Sequence, residues 1–190
     1  ICARDSHSYT LLKEHFKNNT ILMVPDMAFC MDIAKKPNKP NKNILLLKRN
    51  DREISETISY NNLEKIEILD WPTFNPSFKN SYYRVIEKLS KVFSKPALSK
   101  NRIDTTFGFC VKRDKNWQIN SGIQFISNYN YVASTRLHGH ILSLLLNVSS
   151  VMIDNSYGKN SRFYDTWLKD IPQSSLVKST EEIAEKLKPL

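Results

Sequence analysis

The chain has 190 residues, 28 Lys plus Arg against 19 Asp plus Glu, and a formal net charge of +9. Hydrophobic residues are 41% and charged residues 25%, which supplies a real core and excludes wholesale disorder or a collagen-like chain. No apolar run approaches the roughly 18 residues of a membrane-spanning helix.

In chain order, Tyr9–Lys17 has amphipathic helical spacing and Ile21–Val24 is a short apolar run of strand type. Lys35–Lys42, KKPNKPNK, combines two prolines with alternating Lys and Asn and reads as a loop or linker. Ile44–Leu47 and Ile66–Leu69 are the next strands. Ser81–Phe93 places Tyr82, Val85, Ile86, Leu89 and Phe93 at three-to-four spacing, and Trp117–Ile126 is a further helix. Tyr131–Ala133 and Ser150–Ile153 are strands on either side of a helix over Leu137–Leu146. A helix over Phe163–Trp167 follows, and the last is Thr180–Leu187, where Ser179 and Glu182 have capping-box spacing. The strand runs show little polar alternation, as in strands covered on both faces. Strands alternating with helices predict an open, mainly parallel α/β sheet, with ligands at the carboxyl ends of strands.

Glycine occurs only at 108, 122, 139 and 158, and neither GxGxxG nor GxxxxGK[ST] is present. The three cysteines, Cys2, Cys30 and Cys110, are odd in number and far apart. They support neither a disulfide framework nor a zinc site, and read as reduced thiols. The basic charge suits an anionic ligand, a membrane surface or nucleic acid. No basic segment followed by an apolar run opens the chain, so no secretory signal is expected. A start at Ile1 suggests a piece of a longer protein.

Three segments carry chemistry. In Tyr131–Leu146, YVASTRLHGHILSLLL, a strand runs into a helix, with Thr135 expected as the N-cap. Free N–H groups in the first turn favour an anion, and Arg136 adds a forked cation. His138 and His140 titrate near neutrality, and Gly139 permits close approach. On a regular helical wheel Arg136, His140, Ser143 and Asn147 share one stripe, which points His140 toward a polar crevice and His138 away from it. In Val151–Trp167, Asn155, Ser156, Lys159, Asn160 and Ser161 crowd around Gly158, a set of donors and one cation usable on an anion or a sugar. In Leu45–Asp51, Lys48, Arg49 and Asp51 sit where a strand ends. Arg4-Asp5-Ser6 and Pro25-Asp26-Met27 are smaller candidates, either structural or in contact with a site.

At TRLHGHIL plus IDNSYGKNSRFYDTW the sequence resembles the polysaccharide pyruvyl transferase family. ARDSHSY at Ala3–Tyr9, PDMAF at Pro25–Phe29 and KRNDRE at Lys48–Glu53 support the resemblance in the family's order. The family implies two Rossmann-like lobes in a glycosyltransferase-like, GT-B-like architecture. Residues 1–20 would then end the N-terminal lobe or form the junction, and 21–190 would form the C-terminal lobe. The activity implied is transfer of pyruvate from phosphoenolpyruvate to a sugar as a cyclic ketal. The setting would be cytoplasmic capsule or exopolysaccharide synthesis on a sugar or lipid-linked acceptor, with a peripheral place at the membrane surface. The resemblance implies Arg136 and His138 as catalytic residues. Arg49, Thr135, Leu137, His140, Asn155, Ser156, Gly158, Lys159 and Asn160 would bind substrate. The family names His138 as the acid, whereas the wheel favours His140. The scheme needs no metal or other cofactor.

Two other classes compete. A glycosyltransferase of similar fold would use a nucleotide sugar, with Asp154 posed toward the ribose. A non-enzymatic carbohydrate- or nucleic-acid-binding module would need a basic stripe interleaved with exposed aromatics. Tyr129, Tyr131, Phe163, Tyr164 and Trp167 read more simply as packing, so no nucleic acid partner is expected.

Overall fold

The computed structural model describes residues 1–33, 40, 42–48, 66–71, 85, 115–155, 157–178 and 180–186. In order, the elements are β1 (Cys2–Ala3), α1 (Ser6–His15), β2 (Leu22–Met23), a 3-10 turn (Met27–Cys30), β3 (Lys42–Leu47) and β4 (Ile66–Leu69). A helix over 115–127, α2, follows. Then come β5 (Tyr129–Ser134), α3 (Leu137–Leu145), β6 (Ser149–Ile153), α4 (Lys159–Trp167), β7 (Ser174–Val177) and α5 (Thr180–Lys186). Of the expected Ser81–Phe93 helix only Val85, helical and exposed, is among the described residues.

The chain divides into two compact units, Ile1–Leu69 with Ile126–Leu190, and Asp70–Phe125. In the second, the Trp71 ring meets Phe125 edge-on at 6.3 Å. In the first, β1 and β2 form a small parallel pair, and among the described residues five strands form a sheet in the order β4-β3-β5-β6-β7. All four pairings in that sheet are parallel. β7 escapes the sequence reading because Ser174 and Ser175 make it look polar.

The alternation of side chains along a strand divides the core. Leu46, Ala133, Val151, Ile153 and Val177 pack with Ile183 of α5. Met152, between Val151 and Ile153, points the other way and packs with Leu137 and Ile141 of α3 and with Phe163 of α4. Helices on both faces make the parallel sheet a three-layer α/β arrangement. Among the described residues no helix is long and apolar enough to cross a membrane.

Helix boundaries follow the caps. Asp5 accepts from the Ser8 N–H at 2.8 Å, which starts α1 at Ser6, three residues before the apolar periodicity begins. α4 starts at Lys159 because Gly158 takes φ 66° at its N-cap, a conformation glycine adopts without steric cost.

Candidate active site

In the order β4-β3-β5, the chain leaves β3 in one direction and returns on its other side at β5. The crevice at the carboxyl ends of β3 and β5 is therefore the switch point at which such sheets bind ligands. Leu47 and Ser134 are register partners there. Thr135 crosses the gap: its N–H and its hydroxyl both donate to the Leu47 carbonyl, at 3.1 and 3.2 Å. Thr135 is thus not the helix cap; Arg136 occupies the N-cap of α3. Ser134 shapes the turn by donating to the Arg136 carbonyl at 2.8 Å and accepting from the Arg136 N–H at 3.1 Å.

Arg136 places no side-chain cap on α3, and the first intrahelical acceptor, its own carbonyl, serves the His140 N–H. The N–H groups of Leu137, His138 and Gly139 precede that bond and form the positive end of the helix. Leu137 itself turns into the core. The N-terminus of α4 is occupied by the chain's own side chains. Asn155 accepts from the Lys159 N–H at 2.8 Å, and Asp154 accepts from the Ser161 N–H at 3.0 Å.

The two histidines face opposite ways, in the reverse of the wheel expectation. His140 is fully buried. Its Nδ1 lies 2.8 Å from the Ser150 hydroxyl and its Nε2 2.8 Å from the Ser174 hydroxyl. Ser150 donates its proton to the Val132 carbonyl. Ser150 therefore accepts from Nδ1–H, and Ser174 donates to Nε2. Burial pushes the imidazole down to about 3, so the ring is a neutral tie between α3, β6 and β7. His140 faces the sheet because serines from two strands satisfy both of its nitrogens there, whereas Ser143 donates to the Gly139 carbonyl within the helix. His138 stands at the surface, 70% exposed.

His138 has a partner. Its Nε2 is 3.5 Å from Oδ2 of Asp26, just after β2 at the head of the 3-10 turn. Asp26 Oδ2 also accepts from Arg4 at 3.0 Å, and Oδ1 accepts from the Ala28 N–H at 3.0 Å. Burial raises the Asp26 carboxyl. The Ala28 hydrogen bond, the Arg4 hydrogen bond and the charges of His138 and Arg4 outweigh it and hold the group below its ordinary value. Arg4 is fixed in turn: Trp167 donates its indole N–H to the Arg4 carbonyl at 2.8 Å, and the guanidinium lies 5.9 Å from the Phe163 ring centre.

A model of the family described as polysaccharide pyruvyl transferase matches residues 1–157. The chain belongs to that family. It is 29% identical over 177 residues to EpsO of Bacillus subtilis, designated a pyruvyl transferase, covering 93% of this chain and 53% of EpsO. It is 27% identical over 175 residues to pyruvyl transferase 1 of Schizosaccharomyces pombe, covering 88% of this chain and 39% of that protein. A functionally uncharacterized Klebsiella pneumoniae protein shares the fold, with a TM-score of 0.55 at 18% identity over 93% of this chain and 54% of that one. The chain spans about half the length of EpsO and of the Klebsiella protein.

The remaining family-motif residues divide by use. Asn160 is buried and donates to the Thr135 carbonyl at 3.2 Å and the Ile153 carbonyl at 2.8 Å. It ties the loop after β5 to the end of β6. Asn155 is buried and accepts from the Lys159 N–H, and Gly158, the N-cap of α4, supplies the left-handed turn. Lys159 stands exposed on the first turn of α4. Arg49 and Ser156 lie outside the described residues. The residues that sequence reasoning underweighted are Arg4 and Asp26. Their signals were a charged residue just past a short apolar run and a place in the ARDSHSY and PDMAF segments.

Proposed function

We propose that this chain is the C-terminal, Rossmann-like lobe of a two-lobed, GT-B-like enzyme that transfers pyruvate from phosphoenolpyruvate to a sugar of a surface polysaccharide as a ketal. The site belongs to a cytoplasmic step of capsule or exopolysaccharide synthesis, on a lipid-linked acceptor held at the membrane surface. The observation that carries this reading is the exposed His138 in the first turn of α3, two residues from the cation Arg136 and at the switch point of the sheet. Family membership supplies the reaction class.

Phosphoenolpyruvate carries a phosphate and a carboxylate. Arg136, Lys159 and the N–H groups of the first α3 turn are the cations and donors that meet them. His138 protonates C3 of the enol, which makes C2 electrophilic. One sugar hydroxyl adds to C2. The C2–O bond to phosphate then breaks, and a second hydroxyl closes the ketal. The two hydroxyls give up two protons: C3 gains one and phosphate leaves with the other. Thr135, Asn155, Gly158 and Asn160 act on the substrates through the backbone they hold.

The test is phosphate release from phosphoenolpyruvate by the full-length protein with a panel of acceptor sugars, in wild type and His138→Ala. Turnover should fall roughly 100- to 10,000-fold in the variant, the usual worth of a positioned general acid. Phosphate release equal to wild type in folded His138→Ala would overturn the assignment. Release that depends on a nucleotide sugar instead would overturn the donor.

A further inference from the structure

We propose that Asp26 is a positioning residue for His138: it holds Nε2 of the ring and thereby assigns proton transfer to Nδ1. The inference rests on the reading of His138 as the general acid, and it concerns which atom of that residue does the chemistry.

Two distant pieces of chain, those of Arg4 and His138, converge on a carboxylate that its own turn already holds. Its side chain is 10% exposed, against 70% for His138. Oδ1 is used by the Ala28 N–H. Oδ2 lies between the Arg4 guanidinium, at 3.0 Å, and His138 Nε2, at 3.5 Å. The carboxylate is therefore fixed on two sides before the histidine reaches it. Its supports are fixed too, since Trp167 and Phe163 of α4 hold Arg4. Phe29 of the 3-10 turn stacks on the same Phe163 ring at 6.3 Å. α3 cannot roll to carry His138 away, because His140 is bonded at both nitrogens two residues further on.

A carboxylate only accepts hydrogen bonds. A proton on the ring nitrogen facing Asp26 is therefore favoured in both charge states of the imidazole, because a lone pair there would face the carboxylate oxygen at 3.5 Å. That leaves Nδ1 as the nitrogen whose proton comes and goes. The cationic ring gives its Nδ1 proton to C3: the N–H bond breaks, the C3–H bond forms and positive charge develops at C2. The ring is left neutral with Nε2–H toward Asp26 and a lone pair on Nδ1. It is then set to take the proton of the first attacking hydroxyl as the O–C2 bond forms. Asp26 stays ionised throughout and fixes tautomer and ring orientation, the role a buried carboxylate plays behind a catalytic histidine. Arg4 alone accounts for one partner of Oδ2, and His138 Nε2 is its second.

The test uses full-length protein and Asp26→Asn, which keeps the shape and an acceptor for Ala28. The kcat for phosphate release from phosphoenolpyruvate with an acceptor sugar should fall roughly 10- to 1,000-fold, with phosphoenolpyruvate affinity by calorimetry unchanged. In histidine-labelled protein, nitrogen NMR should show neutral wild-type His138 protonated on Nε2 alone, and Asp26→Asn should spread the proton over both nitrogens. Absence of turnover in wild type would end the functional reading and leave the NMR arm to judge Asp26. Three results overturn the proposal: unchanged kcat in folded Asp26→Asn, a loss of affinity as large as the loss of kcat, or the same tautomer distribution in both proteins. If Asp26→Asn does not fold, a mixed tautomer of His138 in wild type alone overturns it.

Discussion

His138 and His140 are two residues apart and do opposite things, and the difference is one of solvent. His140 has exchanged water for two serine hydroxyls, and its folded form resists protonation down to about 3, from an ordinary value of 6.5. In the unfolded chain the ring protonates near that ordinary value. Between the two values the unfolded state binds more protons, so folded stability is full above about pH 6.5 and falls as pH drops, by about 1.4 kcal/mol per unit. Urea unfolding at pH 7.5 and pH 5 should show about 2 kcal/mol of acid loss from this group. His140→Gln should lack that increment, and an equal acid loss in variant and wild type would sink the account. Arg136 belongs to the same scale. Arg136→Ala should cost about 2–5 kcal/mol of phosphoenolpyruvate affinity, by analogy with truncated charge pairs. Arg136→Lys should rescue poorly, because a point charge does not replace the guanidinium fork. Calorimetry on folded variants of the full-length protein reads both, and wild-type affinity in Arg136→Ala would refute the donor role.

At the scale of elements, α3 is set by how closely it approaches β3. A Cβ built on Gly139 would collide with Leu47 Cδ2 and lie 2.8 Å from Ser134 Oγ. By helix propensity alone, Gly→Ala inside a helix gains about 1 kcal/mol. In this contact it should instead cost about 1–3 kcal/mol by overpacking, so the sign of the effect decides the matter. A higher urea midpoint in Gly139→Ala would show that the helix does not sit this tightly. The approach matters to function because the same residue lies between His138 and His140. Lifting α3 off Leu47 would displace His138 from Asp26.

Across the whole molecule, burial is uneven. Leu45–Leu47 of β3 and Met152 and Ile153 of β6 are fully buried, and all their neighbours in the sheet are parallel strands. α1 buries none of its residues. Backbone amides of β3, β5 and β6 should therefore exchange with deuterium only on global unfolding, whereas those of α1 should exchange through local opening at much lower free energy. Hydrogen-exchange mass spectrometry that found α1 as protected as β5 would contradict this distribution. The site draws on both regions. His138 and Arg136 stand on the well-buried sheet, whereas Arg4 and Asp26 come from the short parallel pair β1–β2 and its loops, tied to α4 through Trp167.

What the sequence determined by itself was the set of strands that are apolar at consecutive positions. Ile44–Leu47 and Ser150–Ile153 were legible because a strand covered on both faces must be apolar in this way; Ile66–Leu69 was legible from the same kind of run, although β4, at the end of the strand order, is largely exposed. The Arg-Leu-His and Asp-Asn-Ser-Tyr-Gly-Lys segments were legible for a similar local reason, since their chemistry is packed into a few neighbouring residues. β7 was not legible: Ser174 looks like a loop residue until the His140 ring that consumes its hydroxyl is placed beside it. Nor could local spacing decide which histidine faces outward, because a helical wheel gives a stripe but not what the stripe meets. Asp26 and Arg4 were visible as charges after short apolar runs and as members of two short family-like segments, neither of which told what they touch. Their convergence on His138 is a contact between distant parts of the chain, and it exists only because α3, α4 and the β2 loop pack around the shared Phe29–Phe163 contact.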